Sequence, residues 1–301
     1  MKLSKAVEGF ILSKSVEGLS KRTLETYQPQ LNHLTLFLED PELEHITTND
    51  LRRFLDYLRN DYTPNRWGKS TKPLAARTIR NYWICLRSFY TWAGDELSTG
   101  DVLKPIKAPK PNVAQTEPFT QEEIHSILSM AGHTRESHRN TAIILVFLDT
   151  GIRSSELCDL TIGDVSLKLS RIIVSGKGDK IRHCRVGERT RRALWRYLAD
   201  RDEEEYDDPL FMTVEGRRMR RHWVRELIRQ IGERGGVEHV HPHRFRTTFA
   251  TQYLRNGGDV FTLQILLGHT SLKMVRYYAK LAAVDAATVH RKASPVDNWL
   301  K

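Results

Sequence analysis

Apolar side chains recur every three to four residues over most of this chain, and one short stretch alternates instead. The opening MKLSKAVEGFILSKSVEG is interrupted by Lys, Glu and Ser, so it reads as a first amphipathic helix rather than a signal peptide. Ser20 or Thr23 can cap a helix bearing Leu24, Tyr27, Leu31, Leu34 and Phe37. Thr48 can cap another with Leu51, Phe54, Leu55 and Leu58, and a third from Ala75 to Trp92 carries Ile79, Tyr82, Trp83, Leu86, Phe89 and Tyr90 on one broad face. Residues 1–103 are therefore expected to form a helical bundle. Periodicity stops over residues 104–117, where Pro105, Pro109 and Pro111 remove backbone donors and stiffen an extended chain, so this stretch is expected to be a linker.

Residues 118–301 are expected to form a second domain. Thr120 and Glu123 make a capping box ahead of Ile124, Ile127 and Leu128, and NTAIILVFLDTG predicts a buried helix ending at Gly151. The alternating stretch follows: Ile172 to Val174, a Gly-Lys-Gly-Asp turn, then Ile181 to Val186, which together predict a β-hairpin. Further helices are expected at 187–201, 220–234, 244–256, 260–267 and 272–281. The fold class predicted is mainly α with a small antiparallel β-sheet in the C-terminal domain, that is, an N-terminal helical bundle plus an α+β domain.

Charge changes this picture. The 301 residues carry a formal net charge of +10, which favours a polyanionic partner through counterion release at phosphates. From Arg52 to Arg87 nine basic residues face two acidic ones. Arg52, Arg53, Arg66, Lys69, Lys72, Arg77 and Arg80, on the Thr48 helix, the connection after it and the start of the next helix, are the candidate DNA contacts. No apolar run is long enough to span a bilayer, so no membrane partner is expected. Cys85, Cys158 and Cys184 are scattered without CxxC spacing, which argues against a disulfide framework or zinc and suits a reducing cytoplasm. Cys85 and Cys158 read as small core residues.

Six residues have the chemistry to break a phosphodiester. Arg153, in DTGIRSSEL, follows the helix-ending Gly151, with Ser154 or Ser155 able to cap a new helix and Glu156 one turn on to buttress it. Lys177 lies at the hairpin tip between Gly176 and Gly178, with Lys180 as a competitor. His243 and Arg246 form an HxxR pair on one helix face, with Pro242 suited to the first turn. His239, His241 and His243 alternate as a metal site could, but Pro242 breaks the strand geometry and no carboxylate or Cys follows at ligand spacing, so no metal is expected. His269, in LLGHTS, occupies a corner between two helices. Tyr277 and Tyr278 point about 100° apart on a helix, and a stripe of Leu272, Val275 and Ala279 leaves the choice between them open. Arginines can neutralise phosphate oxygens, a lysine can protonate a leaving alkoxide and a tyrosine can attack in line.

Taken in order, TGIRSSEL, VSGKGDKIR, HPHRFRTTFAT and LLGHTSLKMVRYYAKL resemble the tyrosine recombinases, the phage integrase family that includes the Xer-type enzymes. The resemblance covers residues 118–281; SKRTLETYQPQLNHLTLFLE resembles the family's helical core-binding domain more weakly. It implies that Arg153 and Arg246 clamp the scissile phosphate, His243 assists proton transfer, Lys177 protonates the departing 5′-oxygen and His269 bonds a non-bridging oxygen. Tyr278 is the implied nucleophile by its spacing from the LGH histidine, and Glu156 matches an acidic supporting position. Thr247 departs from the family at a place where many members have His. The implied reaction passes through a 3′-phosphotyrosyl link with no cofactor, ATP or metal, on double-stranded DNA with inverted half-sites and by self-association to a tetramer on DNA. Two other functions share some features. A non-enzymatic DNA-binding regulator needs no such residue set, and a type IB topoisomerase relaxes supercoils without specific sites; the two-domain layout and the LLGH-to-Tyr spacing favour recombination.

Overall fold

A computed structural model of the chain describes residues 1–64, 73–110, 116–176, 181–201, 205–282, 290 and 294–299. The chain divides into two compact units, Met1–Ala114 and Gln115–Lys301. In the first, α1 (Leu3–Val16), α2 (Lys21–Phe37), α3 (Thr48–Asn60) and α4 (Ala76–Leu97) close around Phe10, Leu31, Leu34, Phe54, Phe89 and Tyr90. Ser20 caps α2 by accepting the Thr23 N–H. Thr47, not Thr48, caps α3, because Asp50 three residues on returns the bond to the Thr47 N–H. α4 runs five residues past Trp92, since buried Ala93 continues its apolar face, and stops at Ser98 in the left-handed region.

The proline-rich stretch is fastened to this unit over its first part. Proline lacks a donor but keeps its carbonyl. Arg80 donates to Pro109 O (3.2 Å), Trp83 Nε1 donates to Ile106 O (3.1 Å), and Ile106 packs against the core.

The second unit holds α5 (Gln121–Gly132), α6 (Ser137–Thr150), α7 (Ser154–Asp159), β1 (Val165–Ser166), β2 (Arg171–Ser175), β3 (Ile181–Arg185), α8 (Glu188–Ala199), α9 (Arg221–Arg234), α10 (Pro242–Arg255), α11 (Val260–Leu267) and α12 (Leu272–Ala282), with a one-turn helix at Pro295–Trp299. α6 is the central helix; α5, α8 and α10 pack around it over Ala142, Ile143, Val146 and Phe147. Thr120 and Glu123 form the capping box that starts α5. The sheet is antiparallel in the order β1-β2-β3, with Ile172 opposite Cys184 and Val174 opposite Arg182. Those four residues face inward, and β3 packs against α6 and α11. β1 has two residues, too few for alternation to reveal it. The three cysteines are free and buried. Among the described residues no helix is long and apolar enough to cross a membrane.

Candidate functional site

The site is built where α6 ends. Gly151 closes that helix at φ 59°, and a Cβ there would lie 2.5 Å from a Phe249 ring carbon and 2.8 Å from Leu267 Cδ2, so only glycine fits this turn. Arg153 follows and is itself the cap of α7, where Ser154 or Ser155 was expected. The reason is Glu156, which reaches back to accept the Arg153 N–H (2.8 Å) and its Nη1 (2.7 Å). Glu156 also accepts both terminal nitrogens of Arg182, at 2.9 and 2.7 Å. Burial pushes the Glu156 carboxyl upward, but the Arg182 fork and the Arg153 N–H prevail and hold its pKa at about 2.

α10 supplies the next group. Pro242 is its first residue, and the His241 ring caps it by accepting the Arg244 N–H at 3.2 Å. His243 is exposed and stacks on His241 at 6.4 Å. Arg246, one turn on, is buried. It donates to Gly151 O and Leu267 O, each at 2.7 Å, and meets His269 Nε2 at 2.7 Å. A guanidinium only donates, so His269 Nε2 accepts and its proton sits on Nδ1, which has no hydrogen-bond partner among the described residues. Gly268, at φ 61°, ends α11 and turns His269 into this corner. Burial and then the charge of Arg153 bring the Arg246 pKa down to about 10, so it stays cationic at neutral pH. Burial, then Arg246 and Arg153, bring His269 down to about 4.

α12 resolves the tyrosine pair in space. Its buried stripe is Val275, Tyr278 and Ala282, packed on α10 and α11, and Leu272 is exposed rather than part of it. The Tyr278 ring lies nearly parallel to His269, 6.0 Å away. Its pKa is raised by burial and pulled back by Arg246 beside it. The Tyr277 hydroxyl instead donates to Thr116 O at 3.2 Å.

Arg153, Arg246, His269 and Tyr278 are thus gathered in one corner with Glu156, and His243 lies within electrostatic reach of His269. Lys177 and its competitor Lys180 fall outside the described residues, as do Arg66, Lys69 and Lys72. Arg52, Arg53 and Arg77 are exposed, whereas Arg80 is engaged with Pro109. Sequence reasoning missed Arg182, whose signal was an arginine at an inward position of an alternating strand. It also missed the exposed Arg217, Arg220, Arg221 and Arg225 before and along the start of α9, visible in the sequence as GRRMRRHWVR. No cluster of three or more metal-ligating side chains stands among the described residues.

His269 gives a pH signature. Its folded pKa, about 4, lies below the ordinary 6.5, so as pH falls through 6.5 the unfolded chain takes up a proton that the folded chain refuses. Stability is therefore lost between pH 6.5 and 4, by about 2 kcal/mol at pH 5 for this group. Denaturant midpoints at pH 7 and pH 5 are expected to differ less in His269→Gln than in the wild type; equal differences would contradict the assigned burial.

Residues 117–284 match the Phage integrase family, and residues 12–96 match the Phage integrase, N-terminal SAM-like domain. The chain is 32% identical over 286 residues to Tyrosine recombinase XerC of Corynebacterium efficiens, covering 93% of this chain and 87% of that one. It is 27% identical over 305 residues to Tyrosine recombinase XerD of Oceanobacillus iheyensis, covering 97% and 99%. Its fold is that of the Tn1549 transposon integrase solved with circular intermediate DNA (TM-score 0.75, 19% identity, 98% and 99% covered). The same holds for a lambda integrase dimer bound to a COC′ core site (TM-score 0.74, 18% identity, 92% and 77% covered).

Proposed function

This chain belongs to the phage integrase family of tyrosine recombinases, enzymes that cleave and rejoin DNA strands, and we propose that Tyr278 is its nucleophile, with Arg153, Arg246 and His269 holding the phosphate. In the family's reaction a tyrosine oxygen bonds to phosphorus as the bond to the 5′-oxygen breaks, which leaves a 3′-phosphotyrosyl link and a free 5′-hydroxyl. A 5′-hydroxyl of a partner strand then reverses the step. The ester energy stays in the link, so neither ATP nor a metal ion enters. In this reading His243 takes part in moving the phenolic proton, and Lys177, which follows β2 in the sequence, supplies the proton to the departing oxygen.

The observation that carries the assignment is the buried corner itself: a phenol stacked on an imidazole that is bonded to a guanidinium, with a second guanidinium in reach. Three guanidiniums and one carboxylate leave that corner an excess of positive charge suited to the doubly charged transition state of phosphoryl transfer. The partner is duplex DNA, with two inverted half-sites about a short spacer and four copies of the chain on the paired sites. Exposed Arg52, Arg53 and Arg77 in the first unit and Arg217, Arg220, Arg221 and Arg225 in the second would meet the phosphates. Trp299, 84% exposed on the terminal one-turn helix, is a candidate contact between copies.

Duplexes selected by the protein from a randomised pool and footprinted are expected to show the inverted half-sites. The same duplex nicked in its spacer is expected to trap a covalent adduct, and the intact one to sediment with four protomers. Binding without any adduct would mean a regulator; adducts at random positions with relaxation of supercoils would mean a topoisomerase.

A further inference from the structure

We infer that Arg182 is a positioning residue for strand cleavage, holding Glu156 so that Arg153 is aimed yet keeps its charge for the phosphate; this rests on Arg153 being a phosphate ligand.

The carboxylate of Glu156 is shared symmetrically. Oε1 accepts Arg182 Nη1 (2.9 Å) and Arg153 Nη1 (2.7 Å); Oε2 accepts Arg182 Nη2 (2.7 Å) and the Arg153 backbone N–H (2.8 Å). The two arginines are not equivalent. Arg153 is 40% exposed and gives Glu156 a single side-chain bond, which leaves most of its donors toward solvent. Arg182 is 8% exposed and gives a two-pronged fork, the geometry that fixes a carboxylate in rotation as well as place. Arg182 is thus turned away from any substrate.

Its charge is what the arrangement needs. With Arg153 alone on Glu156, the pair would be neutral and Arg153 would offer phosphate little attraction. Arg182 supplies Glu156 with its own counterion, so the carboxylate can orient Arg153 without cancelling it. A second buried cation beside Arg153 and Arg246 is poor economy for folding: buried pairs replaced by apolar side chains of similar volume often gain stability. Arg182 also runs along the turn that carries His269, since its Nη1 and Cδ are the atoms nearest a Cβ built on Gly268, at 3.5 and 3.7 Å. One side chain therefore braces both the Arg153 cap and the His269 corner.

The test uses the full chain and the nicked selected duplex, with single-turnover adduct formation, DNA affinity and Tm measured for Arg182→Lys, Arg182→Met, Arg153→Lys and the Arg153→Lys/Arg182→Lys double variant. Lysine keeps the buried charge but not the fork, so Arg182→Lys is expected to stay folded, bind DNA as the wild type does, and form adduct roughly ten- to a hundredfold more slowly. The double variant is expected to be no slower than the slower single one, because both act through one guanidinium. Arg182→Met, if as stable as the wild type, is expected to be slow as well, which separates aiming from packing. Wild-type rates in Arg182→Lys, or losses that multiply in full in the double variant, would overturn the inference while Arg153→Lys alone remained impaired. An unimpaired Arg153→Lys would instead sink the phosphate-ligand reading beneath it.

Discussion

Tyr278→Phe is expected to abolish the covalent adduct on a nicked site and to leave DNA binding almost intact, whereas Tyr277→Phe is expected still to form the adduct. The two neighbours differ only in where the helix points them. Tyr278 is 4% exposed, on the stripe with Val275 and Ala282, and its phenol lies beside Arg246 and the His269 ring. Tyr277 is about a third of a turn away and its hydroxyl is engaged with Thr116 O. A nucleophile must lose its proton near a cation that stabilises the phenolate, and Tyr278 has the Arg246 guanidinium beside it. Phenylalanine keeps the ring in the core, so the fold and the DNA-facing surface are retained and the loss lies in chemistry. Denaturing gels of nicked-duplex reactions, alongside native shift assays, read both quantities. An adduct from Tyr278→Phe that vanished in Tyr277→Phe would reverse the assignment.

Much of this was legible because local chemistry and tertiary structure agree. Thr120 and Glu123 stop and start the chain where their own side chains reach, and the strands over Ile172–Val174 and Ile181–Val186 alternate because one face is buried. Pro242 marks a helix start by its missing donor. What escaped depended on partners far along the chain. Arg153 caps α7 because Glu156 folds back, and Glu156 stays ionised in the core because Arg182 arrives from β3 to join Arg153 on it. Helical periodicity could not tell Tyr277 from Tyr278, since either could continue the apolar stripe until α10 and Thr116 took their places beside them; only the family resemblance, through the spacing from the LGH histidine, pointed to Tyr278. The proline-rich stretch reads as a bare connection, yet its carbonyls at Ile106 and Pro109 bind side chains of α4, a role that composition does not reveal.

Arg246→Ala is expected to slow adduct formation by about 10²–10³, the usual cost of losing one donor to a developing oxyanion. Arg246→Lys should fare little better. The guanidinium joins three acceptors in different directions, Gly151 O, Leu267 O and His269 Nε2, and a lysine ammonium on a flexible stem cannot reproduce that planar span. The alanine variant also leaves two buried carbonyls without their donor, so a stability loss of about 1–3 kcal/mol accompanies the kinetic one. The two effects separate by measurement. Single-turnover rates are taken well below each variant's Tm with DNA saturating, so that every molecule counted is folded and bound. Under those conditions His269, freed of the nearest cation, is expected to titrate closer to its ordinary value, since the Arg246 charge ranks next after burial among the causes that depress it. A histidine titration followed by NMR in Arg246→Ala would register that rise. A folded, DNA-bound Arg246→Ala that cleaved within tenfold of the wild type would remove Arg246 from the chemistry and leave it only a strut between α10 and the Gly151 turn.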